Sequence, residues 1–238
     1  MKKQTLLIVM VLLAGLLLSN CSKSYDEYLV LGADLKQAEN YTEALASFEK
    51  AIAKAETSEQ RIKANIVAGD LAGKNLHDYE KANQFYTATL ADISEYSSGD
   101  LRDMAKQALG AQANKAAVAM YQSWFKRFPT APNLLEVKYE YAEVFHKNIR
   151  DLKNAIIAYS DIVDTHPDSE QAPKALFSVG YIYANELGDD ENASIFYSKF
   201  LSTYPDHEMA PSVEFELKYL GKSLEEIPEL QHLLSKTS

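Results

Sequence analysis

Histidine is the side chain that changes charge nearest neutral pH, and this 238-residue sequence carries five: His77, His146, His166, His207 and His232. No two stand in a His-Glu-x-x-His arrangement, and no cysteine partners them in a zinc-type set. His77 and His207 read as loop residues, and His166 immediately precedes a proline. All three are expected to be solvated. The densest acidic group is Gly188-Asp189-Asp190-Glu191. A calcium loop needs oxygen ligands at alternating positions and a spaced glycine; this run lacks both and reads as a turn, so no metal is expected. There is no phosphate-binding loop, dinucleotide fingerprint or Gly-x-Ser-x-Gly elbow. Of the 15 tyrosines, Tyr28, Tyr86, Tyr121, Tyr159, Tyr181 and Tyr197 fall at regular packing positions, as core residues do, so they do not form a sugar-binding platform. No catalytic set assembles, and neither an enzyme nor a bound cofactor is expected.

The single cysteine, Cys21, excludes an intramolecular disulfide. Ahead of it, Lys2-Lys3 form a short basic segment, and Leu6 to Leu18 is an apolar run interrupted only by Gly15. About 17–25 residues are needed to span a bilayer, so this run is too short for that and fits an export-signal core. Leu18-Ser19-Asn20-Cys21 resembles the lipobox of bacterial lipoproteins, with Asn20 where that family prefers Gly, Ala or Ser. The resemblance implies a signal peptide over 1–20 and a diacylglyceryl group on Cys21, the one covalent lipid expected. The two or three acyl chains of such a lipoprotein would meet the need for more than one chain in stable anchoring. The other reading, a plain secretory signal followed by a stray cysteine, leaves an exported free thiol. Ser22 follows the cysteine where an Asp would retain the protein at the inner membrane, so the resemblance implies an outer-membrane lipoprotein facing the periplasm. Residues 21–24 then form a tether that reaches roughly 10–14 Å.

Positioning in the rest of the chain is set by a repeat. An alanine followed four residues later by an aromatic occurs at Ala44/Phe48, Ala82/Tyr86, Ala117/Tyr121, Ala155/Tyr159 and Ala193/Tyr197. Residues four apart share a helix face, so a small residue admits a neighbouring backbone and the ring one turn on fills the adjacent space. Pro129, Pro167 and Pro205 each follow their alanine by twelve residues, where a proline stops a helix. Tyr28, Leu31, Gly32 and Leu35, then Ala44, Phe48 and Ala51, resemble helix A and helix B of the tetratricopeptide repeat. That resemblance implies an all-α, right-handed solenoid of about five helical hairpins with a C-terminal capping helix. The repeats cover about 25–56, 58–94, 98–131, 132–169 and 172–207, the cap 210–222 and an amphipathic tail 223–238. The family repeat has 34 residues. The alanine spacing of 38 in three intervals suggests about one extra helical turn per unit.

Local signals set the boundaries. Thr57-x-x-Gln60 is a capping box, Ser97-Ser98-Gly99-Asp100 breaks the chain before the third unit, and only Gly110 marks the turn inside that unit. Leu224, Ile227, Leu230, Leu233 and Leu234 form an apolar stripe at helical spacing. It reads either as a second piece of the cap or as a docking helix for a partner.

The net charge is −10, and −12 once the two lysines of the leader are set aside. With no basic stripe, nucleic-acid binding is not expected. Stacked hairpins offer a concave face lined by helix A, suited to an extended peptide or a partner's helix. By the resemblance, groove-lining candidates are Leu29, Ala33 and Lys36; Val67, Leu71 and Lys74; Glu140, Val144 and Lys147; and Ser178, Ile182 and Asn185. Leu29 and Ala33 stand where the carboxylate-clamp branch of the family carries Lys and Asn, so chaperone-tail binding is not implied. Tyr-Pro-Asp and His-Pro-Asp after helix B also resemble the BamD type of outer-membrane lipoprotein and the CpoB/YbgF type of periplasmic protein. These imply a scaffold in barrel assembly or in cell-wall coordination. A glycan-binding surface lipoprotein is the alternative from another class.

Overall fold

The computed structural model describes residues 23–228. The leader, Cys21, Ser22, His232 and the stripe residues Leu230, Leu233 and Leu234 lie outside the described residues. Those described are all-helical. In chain order the helices are α1 (Tyr25–Gln37), α2 (Tyr41–Lys54), α3 (Ser58–Lys74), α4 (Tyr79–Thr89), α5 (Ser98–Gly110), α6 (Asn114–Arg127), α7 (Leu134–Glu143), α8 (Leu152–Thr165), α9 (Gln171–Tyr181), α10 (Asp190–Thr203) and α11 (Ala210–Lys218). None is long and apolar enough to cross a membrane.

Capping follows the hairpin pattern. The first helix of each of the first three hairpins opens on a reciprocal cap. Ser24 Oγ accepts from the Glu27 amide while Glu27 Oε2 accepts from the Ser24 amide. Thr57 and Gln60 exchange the same pair of bonds, as do Ser97 and Asp100. The second helices α4, α8 and α10 open on Asp78, Asp151 and Asp189, whose carboxylates accept from the amide three residues on. Each such pairing satisfies amides that have no intrahelical acceptor. The Ser97–Asp100 run is thus partly helix, not a break: α5 begins at Ser98.

The residue just ahead of these caps turns the chain. Glu39, His77, Gln112, Arg150 and Gly188 all have φ between 54° and 64°. Each lies five residues before its repeat alanine. Four are not glycine and carry the left-handed backbone against their Cβ. The amides of Asp78, Asp151 and Asp189 then reach back six residues, to the carbonyls of Ala72, Phe145 and Tyr183, closing the helix ends.

The packing logic is visible at the small residues. A Cβ on Gly32 would sit 2.4 Å from the Phe48 ring, on Gly69 2.7 Å from Tyr86, and on Gly180 2.6 Å from Tyr197. The first helix therefore lies directly against the aromatic of the second. Gly73 lets the chain at Ala111 approach, where a Cβ would fall 2.0 Å from its carbonyl oxygen. All five repeat alanines and the rings Tyr86, Tyr121, Tyr159 and Tyr197 are buried. Tyr28 is half-buried and Tyr181 is exposed, so these two are not core positions. Helices α6, α8 and α10 end two residues before Pro129, Pro167 and Pro205. The residues preceding the latter two, His166 and Tyr204, have φ −142° and −128°, because a following proline disfavours the helical region.

Only in the first of the three 38-residue intervals does the excess take the form of an extra α-turn, α3 having 17 residues against 13 in α1. The first helices of the last two hairpins end in wider π-turns, Val144–Ile149 and Ile182–Leu187, at the same register. The connections 128–133 and 166–170, of six and five residues, supply the rest of the excess.

The described residues divide into two compact units, one of 23–95 with 110–113, the other of 96–109 with 114–228. In the first, Ala44, Leu45, Phe48, Ala68 and Leu71 form the core. In the second, Ala155, Tyr159, Ile162, Leu176, Val179, Tyr197 and Phe200 do so. Ile227 is buried and borders a cleft with Phe215, Tyr219 and Leu220 of the cap, so this member of the tail stripe packs on the fold.

Candidate functional site

In the first unit, three-residue links at 38–40 and 55–57 reverse the chain twice, so α1 and α3 run in the same direction. Between them lies a groove of about 570 Å³, lined by Leu29, Val30, Ala33, Lys36, Gln37, Phe48, Lys63, Val67 and Asp70. Its volume is within the range of about 300–1,000 Å³ usual for binding clefts. The floor is apolar: Leu29 and Ala33 stand one turn apart on α1, with Val67 facing from α3. Val30 is 61% exposed.

The charges around this groove differ in kind. Asp70 is held: Tyr86 donates its hydroxyl to Asp70 Oδ1 at 2.8 Å, and Lys74 Nζ stands 2.7 Å from the same oxygen. Burial first, and the neighbouring Asp70 second, push the Tyr86 phenol well above its ordinary range. Lys36 and Lys63 are exposed and have no carboxylate partner among the described residues.

Four of the twelve expected groove residues, Leu29, Ala33, Lys36 and Val67, come together here, and Lys74 is tied to its wall through Asp70. Leu71, Val144 and Ile182 do not line a surface. They are at most 1% exposed and pack between helices, because the face of the first helix one turn beyond the groove turns into the core. The other candidates lie in the second unit. Glu140 sits inside an ion network: Arg102 donates from Nε to Glu140 Oε2 at 2.8 Å and from Nη2 to Glu140 Oε1 at 2.6 Å, and Lys106 Nζ lies 2.8 Å from Oε1. Burial raises the Glu140 carboxyl, but these cations outweigh it and hold the group below its usual value. Lys147 pairs with Glu143. Ser178 donates to the Lys174 carbonyl and meets Tyr139 Oη at 3.2 Å. Asn185 is exposed beside the cap.

The sequence reading passed over three features. Lys63 and Val30 belong to the first groove, and Lys63 was findable, lying one turn before Val67 on the same face. A second, smaller groove in the second unit is walled by Phe125, Tyr141 and Phe145 with the 56%-exposed Ile157. Its rings meet edge-to-face at 5.3 and 5.1 Å. Trp124, beside it in sequence, is fully buried and donates to the Ser98 carbonyl at 2.8 Å, so it is not a surface aromatic. Third, His146 is buried, with Nε2 2.5 Å from Glu186 Oε1, and Arg150 Nη2 is 2.5 Å from Glu186 Oε2. These three residues tie the π-turn of one hairpin to that of the next. His77, His166 and His207 lie at turns or helix ends. No cluster of three His, Cys, Asp or Glu suited to a metal occurs among the described residues.

Residues 174–207 match the tetratricopeptide repeat model. No curated protein matches the sequence. Among solved structures, the chain is similar to YrrB, described as a tetratricopeptide repeat protein with an unusual peptide-binding site. Identity is 17%, covering 79% of this chain and 90% of that one, with a TM-score of 0.41. It is similar to a tetratricopeptide repeat protein from Parabacteroides merdae at 14% identity, covering 83% and 73%, with a TM-score of 0.42. It is also similar to pilF of Pseudomonas aeruginosa at 14% identity, covering 89% and 97%, with a TM-score of 0.37.

Proposed function

We propose that this chain is a non-catalytic protein-interaction scaffold of tetratricopeptide type, held at the cell envelope by lipid on Cys21, with a role accessory to outer-membrane protein assembly of the BamD kind. The observation that carries the scaffold reading is the preformed apolar groove between α1 and α3, which leaves Val30 and Ala33 exposed to water. The anchor is supported by sequence alone: the basic and apolar leader and Leu18-Ser19-Asn20-Cys21. The helices begin at Tyr25, four residues after Cys21, so the groove would operate close to the membrane surface of the periplasmic face.

Two experiments test this. Cells grown with labelled palmitate should label the wild-type chain and not Cys21→Ala; label on the variant defeats the anchor. Crosslinking in the intact envelope should recover barrel-assembly components. Recovery of cell-wall synthases instead would favour the CpoB-type role, and recovery of no protein would defeat the scaffold. The aromatic groove walled by Phe125, Tyr141 and Phe145 favours one second reading, glycan capture. A soluble oligosaccharide would then quench tyrosine emission, and Tyr141→Ala would abolish the effect. Trp124 is buried too deeply to report it.

A further inference from the structure

The two unpaired lysines do not sit side by side. Lys63 precedes Val67 by one turn on α3, and Lys36 follows Ala33 by three residues on α1. The two helices run in the same direction, and Leu29 and Val67 occupy the same place in successive repeats, so the cations stand at opposite ends of the apolar floor. At 1.5 Å per helical residue their separation along the axis is roughly 16 Å, which an extended peptide covers in about five residues. The only carboxylate in the lining, Asp70, is already engaged by Lys74 and Tyr86. The groove therefore carries at each end a lysine with no ion-pair partner among the described residues, in a body whose net charge is strongly negative. Charges farther than about 8 Å are largely screened at physiological ionic strength, so the local lysines, and not the net charge, decide what the groove attracts.

From this we infer that the groove between α1 and α3 takes a short segment of a partner protein in which two apolar side chains are flanked on both sides by carboxylates. The inference rests on the scaffold reading and names the chemistry of its partner. Recognition is internal to the segment and needs no free C-terminal carboxylate. The apolar side chains cover Leu29, Ala33, Val67 and the exposed Val30, and the flanking acids meet Lys36 and Lys63.

The test uses the mature chain and three fluorescent peptides blocked at both ends: Glu-Glu-Leu-Ser-Leu-Glu-Glu, the same with every Glu replaced by Lys, and the same with both Leu replaced by Ser. Binding is read by anisotropy, with far-ultraviolet dichroism confirming the helicity of each variant. The Glu-flanked leucine peptide should bind at least about tenfold more tightly than the Lys-flanked one, each exposed pair contributing modestly, and added salt should shrink the difference. The serine peptide should bind at least about tenfold more weakly. Lys36→Glu with Lys63→Glu should invert the order of the two leucine peptides, and Val30→Asp should weaken both. Equal binding of the two leucine peptides, or an unchanged order in the double variant, overturns the charge assignment while leaving the scaffold reading intact. Failure of every peptide to bind overturns the inference as well. Envelope crosslinking from a photoreactive residue at Val30 then decides separately whether any partner docks on this face.

Discussion

The left-handed residue ahead of each second helix offers a calculable perturbation. Gly188 has φ 64° and ψ 28°, and a Cβ there would meet nothing within 4 Å. Gly188→Ala thus has no steric component from neighbours and isolates the backbone. Holding an L-residue in this region costs about 1–2 kcal/mol. The loss of unfolded-chain entropy on replacing glycine returns about 0.4–1 kcal/mol. The net expectation is destabilisation of about 1 kcal/mol. Gln112 occupies the same register at φ 58°, is exposed, and has no hydrogen bond among the described residues. Gln112→Gly should stabilise by a similar amount. Urea titration measures both. Trp124 is the sole tryptophan and is buried in the second unit, so its emission follows the unit holding Gly188. Far-ultraviolet dichroism, which reports the helices of both units, follows the change at Gln112. With a slope near 2 kcal/mol per molar urea, each midpoint should move by about 0.5 M, in opposite directions. A Gly188→Ala midpoint that stays put or rises at constant slope would refute the backbone argument.

Three further outcomes follow from packing and titration. Gly180→Ala drives a methyl to 2.6 Å from the buried Tyr197 ring. Overpacking of about 1–3 kcal/mol should exceed the helix-propensity gain of about 1 kcal/mol, whereas Gly110→Ala, with only Lys74 Cε at 3.9 Å, should be neutral or stabilising. Equal thermal midpoints for the two variants would show that the contact is not tight. The Tyr197 hydroxyl is buried with no hydrogen-bond partner among the described residues, so Tyr197→Phe should gain about 1 kcal/mol; a loss in chemical denaturation would mean the hydroxyl is satisfied. Burial, ahead of nearby carboxylates and phenols, holds Tyr86, Tyr121, Tyr159 and Tyr197 well above their ordinary value of 10. The unfolded chain releases these protons first, so their contribution is complete below pH 10 and falls as pH rises beyond it. Phenolate absorbance should therefore appear together with loss of helix. Early titration of every tyrosine with helicity retained would contradict the burial.

Much of the fold was legible because its rule is local. An alanine and a ring four residues apart, repeated at near-constant spacing, place one small and one large side chain on the same face. Pro129, Pro167 and Pro205 mark helix ends, because a proline in a helix interior removes an amide donor and clashes with the preceding turn. The turns were less legible, since glutamate, histidine, glutamine and arginine hold left-handed conformations for which the usual marker is glycine. The 38-residue spacing was misread in two of its three intervals for a related reason: composition does not distinguish one more α-turn, as in α3, from a π-turn with a longer connection. The candidate surface was legible only in the first hairpins. Leu71, Val144 and Ile182 share the register of surface residues, but burial depends on the neighbouring hairpin, which a single repeat does not reveal. Lys36 carried its meaning only through Lys63, and that relation exists only once two helices have been brought parallel.

The Glu186 carboxylate meets the His146 ring and the Arg150 guanidinium, both supplied by the preceding hairpin. At the position equivalent to His146 the last hairpin has Ala184, and at the position equivalent to Arg150 it has Gly188. The two hairpins share a helical outline but are chemically polarised, one giving charge and the other receiving it. A duplicated copy of the last hairpin placed after itself would bring a second glutamate with nothing to neutralise it. Lengthening or reshuffling this array by whole modules would therefore require a new cation at each added joint, and the chain order is written into the seams as well as into the ends.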